Sequence, residues 1–351
     1  MSYILKPKVH HPSLPKNELG LTRRDYEGTL TTLCAGCGHD SVTAAIIQAF
    51  WELSIEPYKV AKLSGIGCSS KTPAYFLREA HGFNSVHGRM PAIATGANAA
   101  NRNLMLIGIS GDGDSLSIGL GQLCHIMRRN VNLLYVLENN GVYGLTKGQF
   151  SASADPGSTS KKGEINTMQC IDGVLMALSL GATFVARSFS GDKEQLVPIL
   201  KAGLMHKGLA FIDVISPCVT FNDHEGSTKG YAYTREHQIE LVSADFVPEF
   251  REITTEYPAG AVQRVVMHDG SSVHLRKLAE DYDPTDRDGA YSHIREHQAR
   301  GEVVTGLLYV DPDSRDMIEQ CEALDEPLYN LAFEGLCPGS AELEKLQLRF
   351  R

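Results

Sequence analysis

The sequence lacks an excess of positive charge, a membrane-length apolar run and any low-complexity tract. Its 351 residues carry 33 lysines and arginines against 42 aspartates and glutamates, a formal net charge of -9. Such a surface repels a phosphate backbone unless its cations cluster, so nucleic acid is not an expected partner. No stretch approaches the roughly 20 apolar residues that a bilayer-spanning helix needs. The first thirty residues are polar and proline-containing, with no signal-peptide core. Membrane insertion and export are therefore not expected, which puts the protein in a reducing cytoplasm. There the eight cysteines read as metal ligands or buried thiols rather than disulfides. Internal repeats at solenoid periods are also missing. Hydrophobic residues at 42% and charged residues at 21% are ordinary for a folded globular chain, and they exclude disorder as the default.

What is present is an alternation of short β-rich runs and amphipathic stretches. Strand-length runs fall at Val60 to Ser64, Leu104 to Ile109, Val131 to Leu137, Thr183 to Ala186 and Ala210 to Ile215. A helix is expected to start at Asp40 or Ser41, with Val42, Ala45, Ile46, Ala49 and Phe50 on its core face. Further helices are expected over Leu116 to Arg129, Met168 to Leu180 and Glu194 to His206. This βαβ pattern predicts an α/β fold, a parallel sheet with helices on both faces. The expected organisation is an N-terminal arm over 1–28, the α/β domain over 29–228 and a C-terminal extension over 229–351. The extension, with its charged YTREH, HDGSS and DYDPTDRDGA segments, reads as mostly helix and turn.

The densest chemical signal is Gly111-Asp112-Gly113-Asp114 after one strand and Asn139-Asn140-Gly141-Val142 after the next, a GDG-x25-NN pattern. Both halves fall just beyond strand carboxyl ends, where open α/β sheets bind ligands. Two glycines let backbone approach a phosphate, and the following helix N-terminus favours an anion. A diphosphate held there needs a hard cation with oxygen ligands, for which Asp112, the Asn140 amide and the Val142 carbonyl are candidates. A dinucleotide fingerprint would need a third glycine where Leu116 stands, and no Walker A pattern exists. A plain Gly-rich turn is the bland alternative, and the matched Asn pair argues against it. The pattern is that of thiamin-diphosphate binding.

Cys34 and Cys37 form a CxxC in a Gly-rich turn, Cys68 follows the first strand and Cys218 the last. Such a set suits either zinc or an iron-sulfur cluster, and spacing does not choose between them; inert buried thiols are the third option. Cys124, Cys170, Cys321 and Cys337 have no close cysteine neighbours and receive no chemistry.

Taken in order, CAGCGH, GIGCSSK, HGRMPAIATGA, GDGDSLSIG and NNGVYGLTKGQ resemble the β subunits of the 2-oxoacid:ferredoxin oxidoreductases, densely over roughly residues 25 to 225. The YTREH and DYDPTDR segments also resemble longer bacterial β subunits of the 2-oxoglutarate-preferring branch. The resemblance implies a thiamin-diphosphate-binding fold and CoA-dependent oxidative decarboxylation of a 2-oxoacid, most simply 2-oxoglutarate to succinyl-CoA. Electrons would pass through a [4Fe-4S] cluster on Cys34, Cys37, Cys68 and Cys218 to ferredoxin. Magnesium would sit on Asp112, Asn140 and Val142, and CAGC stands where many members have a proline.

The implied cofactor lining comprises Ile66, Gly67 and Ser69 after the first strand, with His87 and Gly88 in HGR. Gly111, Gly113 and Asp114 join it, as do Tyr143, Gly144, Leu145 and Thr146. Lys71, Arg89 and Lys147 are candidates for the substrate carboxylate or coenzyme A, Lys71 first among them, and His87 is a candidate proton relay. His39 reads as structural. No second α/β module supplies the carboxylate that thiamin chemistry needs at the aminopyrimidine. The resemblance therefore implies an α subunit, in a heterotetramer of two α and two β chains. Two alternatives stay open: a pyruvate-specific relative, and a non-redox thiamin decarboxylase subunit or scaffold with structural zinc.

Overall fold

The structure, a computed structural model, describes residue 6 and residues 11–247, 262–266, 272–277, 282–324, 326–337 and 339–350. Its frame is one ten-stranded sheet. The first strand, β1 (Val60–Ser64), lies between β2 (His81–Asn84) and β3 (Met105–Gly111), followed by β4 (Leu133–Asn139), β8 (Leu209–Ile215) and β7 (Phe184–Phe189), all parallel. Strands β4 and β8 are buried along their whole length, which is why they read as continuous apolar runs rather than alternating ones. A hairpin of β5 (Val142–Tyr143) and β6 (Gln149–Phe150) stands apart as its own two-stranded unit.

Helices cover both faces, as the alternation predicts. Helix α1 (Gly38–Glu52) buries Val42, Ala45, Ile46, Ala49 and Phe50, the expected face. It begins at Gly38 with Cys37 as its N-cap, earlier than Asp40 or Ser41, because the CxxC turn itself leads into the helix. The pattern reading missed β2 and α2 (Met90–Ala100); all four β2 residues are exposed, and an exposed edge strand leaves no burial signal. The expected single helix over Leu116 to Arg129 is a π-helical turn over Gly113–Ile118 followed by α3 (Leu120–Arg129). Such turns recur where a helix start is shaped for function. Helix α4 (Gly173–Ser179) is shorter than expected because Asp172 caps it, accepting from the amides of Val174 and Leu175. Helix α5 (Lys193–Met205) matches its expectation within a residue.

The C-terminal third corrects the sequence reading most. Instead of mostly helix and turn, it contributes four strands, β9 (Gln238–Val247), β10 (Val262–Val266), β11 (Ser272–Lys277) and β12 (Val303–Val310), after a short α6 (Tyr231–His237). Strand β12 pairs antiparallel with β7 and parallel with β9, so the sheet runs on past residue 229 without a break. Helix α7 (Arg287–Ala299) packs Ala290 and Ile294 into the same core cluster. Most of the HDGSS segment lies outside the described residues. In the N-terminal arm, of which residues 1–5 and 7–10 lie outside the described residues, Asn17 Nδ2 donates to the Tyr26 hydroxyl at 2.8 Å and to the Trp51 carbonyl at 3.1 Å. The Trp51 indole donates to Leu21 at 3.1 Å. The arm is thereby fastened to α1.

Candidate active site

Strands β8, β4, β3 and β1 are consecutive neighbours in the sheet. The segments that leave their carboxyl ends carry Cys218, the Asn pair, the GDGD run and Cys68 in that order. Every motif singled out in the core of the sequence therefore opens on one sheet edge.

Asp112 is 1% exposed. Its Oδ2 accepts from the Ser153 hydroxyl at 2.6 Å and from that of Ser151. Burial pushes this carboxyl up, and the two hydroxyls pull it back toward ionisation. The Asn140 side-chain oxygen accepts from the Val142 amide at 3.1 Å, and its carbonyl accepts from Asn222 at 2.7 Å. Gly141 between them has φ +75, the left-handed bend that reverses the chain out of β4. Ser151 donates its amide to Gly141 at 3.0 Å, so Val142 occupies the intervening position of the hairpin and its carbonyl is left out of the ladder. A carboxylate, an amide oxygen and an unpaired carbonyl at adjoining strand ends form a hard-donor set that fits magnesium.

Asp114 sits one residue past GDG and does something else. Its Oδ1 accepts from the Gly88 amide at 2.7 Å and faces His87 Nδ1, while its Oδ2 accepts from Ser110 at 2.6 Å. The carboxylate thus anchors the His87-Gly88 loop over the GDG turn. The Tyr143 ring lies against Gly113, and the Ser69 hydroxyl against Gly111. Ile66 and Gly67 are half-buried in the same turn region, whereas Leu145 and Thr146 are exposed on the hairpin.

Cys68 and Cys218 border that hairpin at Gly144. A Cβ added to Gly144 would lie 3.3 Å from Cys68 Sγ and 3.7 Å from Cys218 Sγ. Cys34 Sγ accepts from the Thr220 hydroxyl at 3.3 Å, two residues past Cys218. Cys37 is brought in by α1: the Gly38 amide donates to the Pro217 carbonyl at 3.2 Å, and His39 Nδ1 meets Ser216 Oγ at 2.6 Å. Burial pushes the Cys37 thiol up to about 12 and raises Cys68 and Cys218 too. The Phe221 and Asn222 amides donate to the Cys218 carbonyl at 3.1 and 2.8 Å, and the backbone of this turn opposes that rise. Thiols in such surroundings take up negative charge readily only when a metal shares it.

Among the described residues no three His, Cys, Asp or Glu side chains converge as ligands of a single ion. The four thiols are free of disulfides and remain candidate ligands of a metal centre.

A buried polar knot joins the two halves of the edge. Glu138, fully buried, accepts from the Thr72 hydroxyl at 3.0 and 3.1 Å and lies 3.5 Å from His39. Burial holds Glu138 well above its ordinary pKa and lowers His39 to about 4, so the two face each other uncharged. His39 is structural, as expected from the sequence. Glu138, Thr72, Ser216, Ser151 and Ser153 were not found by sequence reasoning. Each is one polar residue adjoining a motif, and only its partner across the fold reveals the role.

The three candidate cations are spread out. Lys71 is half-buried, donates its amide to the Cys68 carbonyl at 3.1 Å and lends positive charge to the Cys68 sulfur. Arg89 is exposed at the start of α2, and Lys147 is exposed at the hairpin tip with φ +79.

Residues 65–214 match the model of the thiamine pyrophosphate enzyme family, C-terminal TPP binding domain. The chain is 43% identical over 210 residues to a 2-oxoacid:ferredoxin oxidoreductase β subunit from Saccharolobus solfataricus, across 59% of this chain and 68% of that one. It is 40% identical to a 2-oxoglutarate oxidoreductase subunit KorB from Mycobacterium tuberculosis, where the match spans about half of that protein (51%). With a 2-oxoglutarate synthase subunit KorB from Methanocaldococcus jannaschii the identity is 37%, over 84% of this chain and 93% of the relative. The fold is similar, at a TM-score of 0.70 and 29% identity, to a 2-oxoglutarate:ferredoxin oxidoreductase from Magnetococcus marinus solved with 2-oxoglutarate, coenzyme A and succinyl-CoA bound. That likeness covers 90% of this chain and 96% of that one. Motifs, sheet edge and relatives agree, and the chain belongs to the β-subunit family of the 2-oxoacid:ferredoxin oxidoreductases.

Proposed function

We propose that this β subunit, with an α subunit, carries out CoA-dependent oxidative decarboxylation of 2-oxoglutarate to succinyl-CoA and passes the electrons to ferredoxin. The observation that carries the reading is the shared edge: the cation ligands leave β3 and β4, and Gly144, two residues past Val142, touches the thiols that follow β1 and β8. Asp112, Asn140 and the Val142 carbonyl would hold Mg²⁺ on the diphosphate, and Cys34, Cys37, Cys68 and Cys218 a [4Fe-4S] cluster. Thiamin diphosphate, when bound, supplies the carbon nucleophile and the electron sink for decarboxylation; the cluster supplies a one-electron acceptor.

The chain's own residues do the holding. Ser151 and Ser153 keep the Asp112 carboxylate in place. Asp114 fixes the loop that presents His87, the candidate proton relay. Lys71, beside Cys68, is the candidate for the substrate carboxylate. Arg89 and Lys147, exposed at the rim, suit the phosphates of coenzyme A. The preference for 2-oxoglutarate rests on the named relatives and on the ligands of the Magnetococcus enzyme. The domain facing the aminopyrimidine would come from the α subunit, in an assembly of two α and two β chains. No helix among the described residues is long and apolar enough to cross a membrane, which accords with a cytoplasmic enzyme.

The test is co-expression with the α subunit and an anaerobic assay of CoA-dependent viologen reduction with each 2-oxoacid. The expected result is turnover that depends on thiamin diphosphate and is fastest with 2-oxoglutarate. Faster turnover of pyruvate would overturn the substrate, and failure of the complex to bind thiamin diphosphate would overturn the reading as a whole.

A further inference from the structure

A line of buried polar groups leaves the Asp112 site and crosses the sheet to helix α7 in the C-terminal third. Ser153, whose hydroxyl reaches Asp112, is also 2.9 Å from Asn139 Oδ1. The other end of that amide, Asn139 Nδ2, donates to Asp213 Oδ1 at 3.0 Å on the neighbouring strand β8. Arg187, one strand further on β7 and in register with Asp213, donates through Nε to Asp213 Oδ2 at 3.0 Å. Its Nη2 donates to Asp172 Oδ1 at 2.7 Å, and Gln298 of α7 donates to the second Asp172 oxygen at 2.5 Å. Asp213 is 1% exposed, Arg187 6% and Asn139 4%. A buried guanidinium between two carboxylates is an expensive arrangement that packed apolar residues would replace without loss of stability. Its retention next to a ligand site asks for a positional reason.

The amide of Asn139 supplies one. A side-chain amide has a donor end and an acceptor end. Its two neighbours differ: Asp213 already accepts from Arg187 at its other oxygen and presents an acceptor to the amide, whereas a hydroxyl serves either way. The amide therefore has one orientation, with Oδ1 toward Ser153. If it turned over, two oxygens would face each other across the Asp213 contact. Ser153 has a single proton and three acceptors in reach, Asp112 at 2.6 Å, Asn139 at 2.9 Å and Ser151 at 3.0 Å. With the amide locked, its oxygen is held at the Ser153 hydroxyl that reaches Asp112.

We infer that Arg187 and Asp213 are positioning residues for the cation site: they lock the Asn139 amide, which seats Ser153 under Asp112, and Gln298 ties α7 into the same line. The inference rests on the proposed reading of Asp112 as a magnesium ligand and deepens it by giving the C-terminal segment a part in the site. Outer-sphere partners of this kind hold a ligating carboxylate at one angle, and their loss typically weakens metal binding about 10- to 100-fold.

The test uses the α/β complex stripped of thiamin diphosphate and magnesium. Mg²⁺ is titrated calorimetrically in the presence of thiamin diphosphate, with cluster absorbance and thermal midpoint measured alongside. Asp213→Asn keeps the shape but lets the Asn139 amide turn. The expected result is Mg²⁺ affinity at least about 10-fold weaker with cluster absorbance and thermal midpoint close to the parent. Gln298→Ala, at the far end of the line, should give a smaller loss in the same direction. Parent-like Mg²⁺ affinity in Asp213→Asn overturns the inference. So does a parallel fall of affinity, cluster and thermal midpoint, the mark of a merely structural role. If Asp213→Asn does not fold, unchanged affinity in Gln298→Ala overturns it and weakened affinity supports it. A parent complex that binds neither Mg²⁺ nor thiamin diphosphate would instead sink the underlying reading.

Discussion

The two sides of the ten-stranded sheet are built for different work. From β2 to β7 every strand runs parallel, the inner ones are buried on both faces, and the connections at one edge carry the chemistry. From β12 to β10 the sheet is mixed, and the chain ends in segments whose apolar side chains stay in solvent, such as Phe333 at 72% and Phe350 at 85% exposed. A parallel sheet leaves all of its strand ends on one side, and a site needing several loops at one point is assembled there by topology alone. Mixed strands do not gather their connections this way. What the C-terminal side contributes instead is support through β12 against β7 and α7 against Asp172.

Substitutions can break that contrast, beginning with the largest effects. Cys68→Ser in the α/β complex should abolish the visible absorption and iron content of the cluster while thiamin diphosphate and magnesium still bind; anaerobic spectra and metal analysis check this. The converse variant, Asp112→Ala, should lose magnesium and thiamin diphosphate and leave the cluster absorbance in place. Loss of both groups in either variant would mean that the edge is one structural unit rather than two adjoining sites. For stability, Phe211→Ala in the fully buried β8 should cost about 3 to 5 kcal/mol by denaturant titration, against less than about 0.5 kcal/mol for Phe333→Ala on the far side.

The Asp155–Lys229 pair sharpens the comparison through pH. Lys229 Nζ donates to Asp155 at 2.7 Å. Burial alone would raise this carboxyl, but the Lys229 charge outweighs it and holds Asp155 below the ordinary carboxylate range. A depressed folded value means that the pair stabilises the fold above the unfolded carboxylate pKa, about 3.9, and that this share is lost as pH falls through the lower folded value. Lys229→Met should therefore be destabilised by about 3 kcal/mol near neutrality. Its deficit relative to the parent should shrink in acid, as measured by thermal melts across the pH range.

How much of this was legible in the residues depended on what kind of signal each element leaves. Strands β4 and β8 announce themselves as apolar runs because both faces are buried, and β1, despite its buried Lys62, matches its expected bounds to the residue. The exposed β2 and the charged β9 and β11 carry no such run, while β12 is a buried apolar run that was missed; the pairing of β9 and β12 is decided by neighbours distant in sequence. At the site, GDGD, NN and the four cysteines were legible as candidates because phosphate, cation and thiol chemistry constrain residue type and spacing together. Ser151, Ser153 and Glu138 were not, because a serine or a buried glutamate is defined by what it meets. Asp114 shows the same limit from the other side: its motif suggested cofactor contact, and its carboxylate is taken up by Gly88, His87 and Ser110.

The account stands on the closeness of the cation ligands to the thiols across the Gly144 hairpin. The most direct measurement replaces Mg²⁺ with Mn²⁺ in the purified α/β complex, reduces the cluster and records the electron paramagnetic resonance of both centres. Dipolar broadening of the cluster signal that appears with Mn²⁺ and vanishes in Asp112→Ala is the predicted result. A cluster signal indifferent to bound Mn²⁺ would contradict it.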